Sequence, residues 1–242
     1  MLLEKNDRLI MAGDSVTDCG RLRESLPGGW GSFGDGYVNF VDGFLAAMYP
    51  ELHLLIGNAG VSGDDIVDLQ ERYEKDVLAY APNWVSVMIG INDVWRHYDG
   101  MVMPVRKVEL ATFQRIYESL VVKTLEQEQV KGMILISPVM IEANDVNPMK
   151  CTLREYAKVA RDLAGRYSCQ YARNPGPDTE LPYGGKKPVI YVDVQSKVDA
   201  FLAEGMNEYI LCSDRVHPNN KGHAIITKAF LDAIGVDWTK GM

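Results

Sequence analysis

Apolar positions in this chain form two alternating kinds of segment. Short, largely apolar runs occur at 8–13 (RLIMAG), 52–60 (LHLLIGNAG), 84–90 (WVSVMIG), 132–140 (GMILISPVM) and 188–194 (PVIYVDV). Successive side chains of a strand point to opposite faces. Runs apolar on both faces therefore suit a parallel sheet covered by helices on each side. Between them lie longer stretches of helical period. In 37–49, Val38, Val41, Phe44, Leu45 and Met48 share a face; in 63–79, Ile66, Leu69, Tyr73 and Val77 do, with Ser62 placed as N-cap. Segment 109–128 repeats the pattern through Leu110, Phe113, Tyr117, Leu120 and Leu125. Segments 151–168 and 219–234 are similar, the last opened by Asn219 or Asn220, and a shorter helix is predicted near 195–204. This βαβα order predicts one α/β domain over residues 1–242. Its architecture is a three-layer α/β/α sandwich around a five-stranded parallel sheet with right-handed crossovers.

Three connections exceed ordinary turns. Residues 20–36 are glycine-rich and carry Trp30, and residues 94–108 carry Trp95, Arg96, His97 and Tyr98. Residues 169–188, rich in proline and glycine, read as an inserted loop. Composition narrows the partners. A formal net charge of −8 argues against nucleic acid, whose binders usually show a basic patch or domain. No apolar stretch approaches the roughly 20 residues that span a bilayer, so no membrane partner is expected. Leu2 and Leu3 are followed at once by EKNDR, which is not a secretory signal. Cys19, Cys151, Cys169 and Cys212 lie far apart with no C-x-x-C pair, the pattern of reduced thiols; a cytoplasmic location is expected.

The chemistry concentrates at strand ends. In LIMAGDSVTD a strand ends at Gly13 and a helical turn begins near Ser15. That puts the hydroxyl at the carboxyl edge of the sheet, where open α/β folds bind ligands, and its N–H where negative charge is stabilised. Turn and capping chemistry alone would also use Gly-Asp-Ser. After the second run, NAGVSGDD offers the Gly60 N–H, unobstructed by a side chain, although a plain strand-to-helix turn reads the same way. After the third run, MIGINDVW offers the Asn92 amide as an oxyanion donor, with Asp93 ordering the loop. Near the end, SDRVHPNNKGH brings Asp214 and His217 into one tight loop. Asp214 would fix the imidazole tautomer, the other ring nitrogen would face Ser15, and Pro218 holds His217 extended. A nucleophile, its base and the base's acidic partner are what acyl transfer requires. A base of this kind works only when neutral, so the rate should fall toward acidic pH. His223 is read as packing or capping, His53 as mid-strand, and His97 as a pocket candidate. The chain lacks G-x-S-x-G, G-x-G-x-x-G and G-x-x-x-x-G-K-[ST].

Taken together, these four segments resemble the four blocks of the SGNH hydrolases, the GDSL esterase/lipase family. Ser15, Gly60, Asn92 and His217 match the signature positions in order, and Asp214 matches the acid three residues before the histidine. AGDSVTDCGR, GYVNFVDGFLAAMYPE, WVSVMIGINDVWRHYD, ISPVMIEANDVNPM and DRVHPNNKGH are similar to the intracellular acetylxylan (acetyl-xylooligosaccharide) esterases within it. The resemblance implies a flavodoxin-like sandwich and a Ser15–His217–Asp214 triad. It also implies an oxyanion hole from the Ser15 N–H, the Gly60 N–H and the Asn92 amide. It implies deacetylation of xylo-oligosaccharides or related sugars, no metal or cofactor, and a homo-oligomer. Asp14, Trp30, Trp95 and Tyr98 are the candidate substrate contacts. A short-chain lipase, lysophospholipase or thioesterase would use the same scaffold, and a glycan-binding protein without catalysis could keep the fold. The 169–188 insertion is longer than expected for the subgroup.

Overall fold

The structure, a computed structural model, describes residues 1–98, 105–168 and 187–240. Five parallel strands form one sheet: β1 (Arg8–Gly13), β2 (Leu55–Gly60), β3 (Trp84–Met88), β4 (Gly132–Ile136) and β5 (Val189–Val192). Their order is β2-β1-β3-β4-β5, the flavodoxin-like arrangement. Eight α-helices are described: α1 (Ser15–Asp18), α2 (Tyr37–Met48), α3 (Ile66–Asp76), α4 (Ile91–Trp95), α5 (Leu110–Leu125), α6 (Pro148–Tyr167), α7 (Val194–Ala203) and α8 (Asn220–Ala233).

Alternation along the strands builds two cores. Ile10 and Ala12 of β1, Val85 and Val87 of β3, and Met133 and Leu135 of β4 pack with α3, α5 and α6. Leu9, Met11, Trp84, Met88, Ile134 and Ile136 from the same strands pack with α2, α7 and α8. Both faces of the sheet are thereby covered, the reason these runs are apolar at successive positions.

Chain direction across the sheet reverses at β1: β2 pairs on one side of it and β3 on the other. The loops after β1 and β3 therefore diverge and leave a crevice at their carboxyl ends. Ser15 follows β1, and Asn92 follows β3, both at that crevice.

Several local expectations change. Ser62 does not cap α3. Asp65 does, its carboxylate accepting from the N–H groups of Val67 and Asp68, while the Asp68 carboxylate accepts from Asp65 N–H. This capping box satisfies donors that Ser62, three residues too early, cannot reach. Strand β2 starts at Leu55, because Pro50–Leu52 form a 3₁₀ turn; His53 ends that turn at φ 49° and is not in a strand. Phe44 is half-exposed and packs edge-on against Trp238, with ring centroids 5.8 Å apart. Most of 94–98 continues α4 as helix and turn; residues 99–104, and 169–186 of the expected insertion with Cys169, lie outside the described residues. Cys19, Cys151 and Cys212 are free thiols.

Candidate active site

Strand β1 ends at Gly13, and Asp14 caps the single turn of α1 by accepting from the Val16 N–H at 3.0 Å. That turn presents Ser15 at the crevice. A Cβ on Gly13 would meet Thr17 Oγ1 at 2.2 Å and Met88 O at 2.4 Å, so only glycine allows the chain to turn this tightly here.

The partners of Ser15 come from the other end of the chain. Ser15 Oγ lies 3.0 Å from His217 Nε2, across 202 positions of sequence. His217 Nδ1 lies 2.6 Å from Asp214 Oδ2. Asp214 Oδ1 accepts from the N–H groups of His217 (2.8 Å) and Val216 (3.0 Å) and from the Cys212 thiol (3.1 Å). Burial pushes the Asp214 carboxyl up, but the His217 N–H, the His217 ring and the Val216 N–H outweigh it and hold it well below the usual carboxylate range. An ionised Asp214 can only accept. The His217 proton therefore belongs on Nδ1, and the Nε2 lone pair faces Ser15 Oγ.

The loop holding His217 is itself fastened. Arg215 adopts φ 69°, uncommon for a residue with a side chain. Its carbonyl accepts from Ile141 N–H at 2.9 Å, and its guanidinium lies 3.2 Å from the buried Glu142 carboxylate. Pro218 begins the return to α8, which Asn219 caps.

A hollow of about 410 Å³ opens over the pair, lined by Ser15, Gly63, Asn92, Trp95, Arg96 and His217 among others. Three of its lining residues carry unspent donors. Neither the Ser15 N–H nor the Gly63 N–H has a hydrogen-bond partner among the described residues. Asn92 Nδ2 donates one hydrogen to Asp64 O at 2.9 Å, which fixes the amide and leaves its second hydrogen available. Gly60 is not among the donors. Its N–H is held by Asn58 Oδ1 at 2.8 Å, and the residue is buried. A Cβ at Gly60 would meet Asp18 N at 2.2 Å, so this glycine exists for the close approach of α1. Gly63, three residues on, adopts φ +90° and faces open space. The Ser-Gly turn signal at 62–63 was visible in sequence, but nothing there showed that Asn58 folds back on Gly60.

The other expected residues divide. The Trp95 ring stands edge-on to His217, with centroids 6.2 Å apart, and separates this hollow from a neighbouring one of about 340 Å³. Tyr98 lines that second hollow, and its hydroxyl bonds Thr152 Oγ1 (2.7 Å) and Pro148 O (3.0 Å). Trp30 does not join them: it is 95 % exposed and lines neither hollow. Asp14 is not a substrate contact either, being 1 % exposed; burial pushes its carboxyl up to about 7, against the pull of the Val16 N–H and His217. Asp93, also buried and raised to about 8, accepts from Ile66 N–H and ties α3 to α4. His97 turns to the Val108 carbonyl. His223 accepts from Tyr37 N–H at its Nδ1 and sits beside Cys19 Sγ, a packing role.

The fold and this arrangement define an SGNH-type hydrolase, and the chain belongs to the GDSL-like lipase/acylhydrolase family, whose profile matches residues 11–225. The chain is 38% identical over 240 residues to the acetylxylan esterase of Geobacillus stearothermophilus, covering 99% of each. The crystal structure of Axe2, an acetylxylan esterase from that organism, superposes with a TM-score of 0.85 at 39% identity, over 98% of both chains. Solved catalytic mutants of that enzyme replace a serine, a histidine or an aspartate by alanine. LAE5, an alpha/beta hydrolase from the metagenome of Lake Arreo, superposes with a TM-score of 0.82 at 35% identity, over 97% of this chain and 98% of that one.

Proposed function

We propose that this protein is a serine esterase that removes acetyl groups from acetylated xylo-oligosaccharides or closely related sugars. The observation that carries the reading is the closed relay Ser15 Oγ–His217 Nε2 (3.0 Å) and His217 Nδ1–Asp214 Oδ2 (2.6 Å) at the floor of an open hollow. Ser15 Oγ attacks the acetyl carbonyl while His217 Nε2 takes its proton. The carbonyl oxygen becomes an oxyanion, held by the Ser15 N–H, the Gly63 N–H and the Asn92 amide. As the tetrahedral intermediate collapses, His217 returns the proton to the departing sugar oxygen, leaving acetyl-Ser15. Water then attacks that ester, again losing its proton to His217; acetate leaves and Ser15 recovers its hydrogen. Asp214 stays ionised and stabilises the imidazolium in both half-reactions.

The sugar assignment rests on the relatives and on the hollow's chemistry. Trp95 offers an aromatic ring beside Ser15 and His217, and it lines both hollows. Among the described residues no helix is long and apolar enough to cross a membrane. A cytoplasmic location and, from the subgroup resemblance, a homo-oligomer belong to the same proposal. The test compares 4-nitrophenyl acetate, 4-nitrophenyl octanoate and an acetylated xylo-oligosaccharide. Acetyl esters should be preferred over octanoyl by at least about tenfold in kcat/KM, roughly 1.4 kcal/mol of discrimination, with acetate released from the oligosaccharide. A preference for octanoate, with no acetate from the sugar, would move the substrate to lipids or long-chain thioesters.

A further inference from the structure

The largest hollow among those described is not the catalytic one. It has a volume of about 450 Å³ and opens beside the edge strand β2, lined by Arg21, Arg23, Ser32, Arg72, Lys75 and Asp76 among others. Four cations share it in a chain whose formal net charge is −8, so the sign is local and not a background.

The four cations are not equivalent. Arg72 is consumed by the fold: it binds Asp64 Oδ2 at 2.6 Å and the carbonyls of Ala59 and Gly13 at 2.8 and 3.1 Å, with Asp76 3.6 Å away. Arg23 is paired with Asp18 at 2.9 Å. Arg21 and Lys75 have no ion-pair partner among the described residues. Arg21, partly buried, spends only its Nε, on Gly60 O at 2.8 Å; its two terminal nitrogens make no hydrogen bond among those residues. Burial lowers the Arg21 pKa, with Arg23 and Arg72 adding to the fall, and Asp18 and Asp76 offset it only in part, so an anion here would favour the charged guanidinium. A second, independent feature lies in the same wall: Ser32 is 3 % exposed, and its Oγ has no hydrogen-bond partner among the described residues. A buried hydroxyl left unpaired costs free energy that a ligand oxygen can recover.

We propose that this hollow is a second ligand site, binding a phosphate group between Arg21 and Lys75. Two cations without an ion-pair partner among the described residues match a phosphate monoester or free phosphate, which carries about −1.5 to −2 charge at neutral pH. Guanidinium forks suit its tetrahedral oxygens, and Ser32 Oγ can donate one further bond. The hollow is several times larger than a phosphate ion, which leaves room for an organic portion against Pro27 and Tyr80. It also shares a wall with the catalytic hollow. Asp18 Oδ2 takes both Arg23 and the N–H and Oγ of Ser62, the residue before Gly63.

Isothermal titration of the full chain at low ionic strength, with inorganic phosphate and with glucose 6-phosphate as probes, tests this. Saturable binding of at least one probe is expected. Lys75→Glu, at an exposed lysine whose amine has no hydrogen bond among the described residues, should weaken it at least tenfold with only a small fall in melting temperature from reversing a charge in the last turn of α3, and Arg21→Gln should weaken it likewise if it folds. Tighter binding of glucose 6-phosphate assigns the site to a phosphoester, and equal binding assigns it to free phosphate. Binding of neither probe, or binding that Lys75→Glu leaves unchanged, overturns the proposal, the latter by showing that the anion sits elsewhere.

Discussion

Two glycines three residues apart have opposite duties. Gly60 is needed because α1 passes within 2.2 Å of where its Cβ would stand, and its N–H already serves Asn58. Gly63 sits at φ +90°, with its N–H directed to no protein acceptor among the described residues. Gly60→Ala should therefore cost stability, about 1–3 kcal/mol as overpacking, read as a lower melting temperature. Gly63→Ala strains the backbone and displaces a donor. It should lower kcat by roughly 10–100-fold, less than full loss of such a donor, with little change in melting temperature. If the two variants exchanged these phenotypes, the oxyanion donor would be Gly60. The juxtaposition of Ser15, His217 and Asp214 was legible because each lies at a strand end or in a tight loop that sequence patterns mark. The choice between Gly60 and Gly63 was not, because it depends on one side chain, Asn58, folding back onto the strand. Asp14 misled for a related reason: a carboxylate beside a nucleophile invites a role toward substrate, but its side chain is taken up in capping α1.

At the scale of elements, hydrophobic period located the five strands and the six longer helices, since each face must meet one of two cores. Ends were harder. Leu52 and Leu54 extend the apolar run before β2, yet they pack against the core from outside the strand, with 50–52 in a 3₁₀ turn. The start of α3 depends on competition between Ser62 and Asp65, and the carboxylate wins through a reciprocal bond with Asp68 and an ion pair with Arg106 at 2.5 Å. Asp65→Ala should lower stability by about 1–2 kcal/mol, the usual worth of a lost N-cap, measured by urea unfolding. Since α3 follows the loop carrying Gly63 and Asp64, and Asn92 is anchored on Asp64 O, activity should fall as well. A variant with unchanged stability would show that the cap does not order this loop.

For the molecule as a whole, the reversal of chain direction at β1 is what brings residues 202 positions apart into contact, by opening a crevice shared by the loops after β1 and β3 and the loop that leads into α8. Parallel strands and helical crossovers were readable in sequence; the strand order was implied only by family resemblance, because periodicity says nothing of neighbours. The same burial that shapes the fold sets its acid sensitivity. Burial lowers the His223 pKa to about 4 from the ordinary 6.5. The unfolded chain therefore binds the proton more readily between those values. This contribution is complete above about pH 6.5 and is lost as pH falls toward 4, at most about 3 kcal/mol. Asp14 and Asp93, raised to about 7 and 8, act in the opposite sense, losing stability as pH rises from about 4 through those values. The difference in unfolding free energy between wild type and His223→Gln isolates the histidine: it should shrink as pH drops from 6.5 to 4, and a pH-independent difference would deny it. The proposed esterase chemistry stands on Ser15 as the nucleophile of an acetyl transfer. Its most direct test is hydrolysis of 4-nitrophenyl acetate and acetylated xylo-oligosaccharide by wild type and Ser15→Ala, with circular dichroism confirming that both fold. The account predicts activity on both substrates and a loss on the order of 10⁴-fold or more in the variant; near-wild-type turnover by a folded Ser15→Ala protein would contradict it.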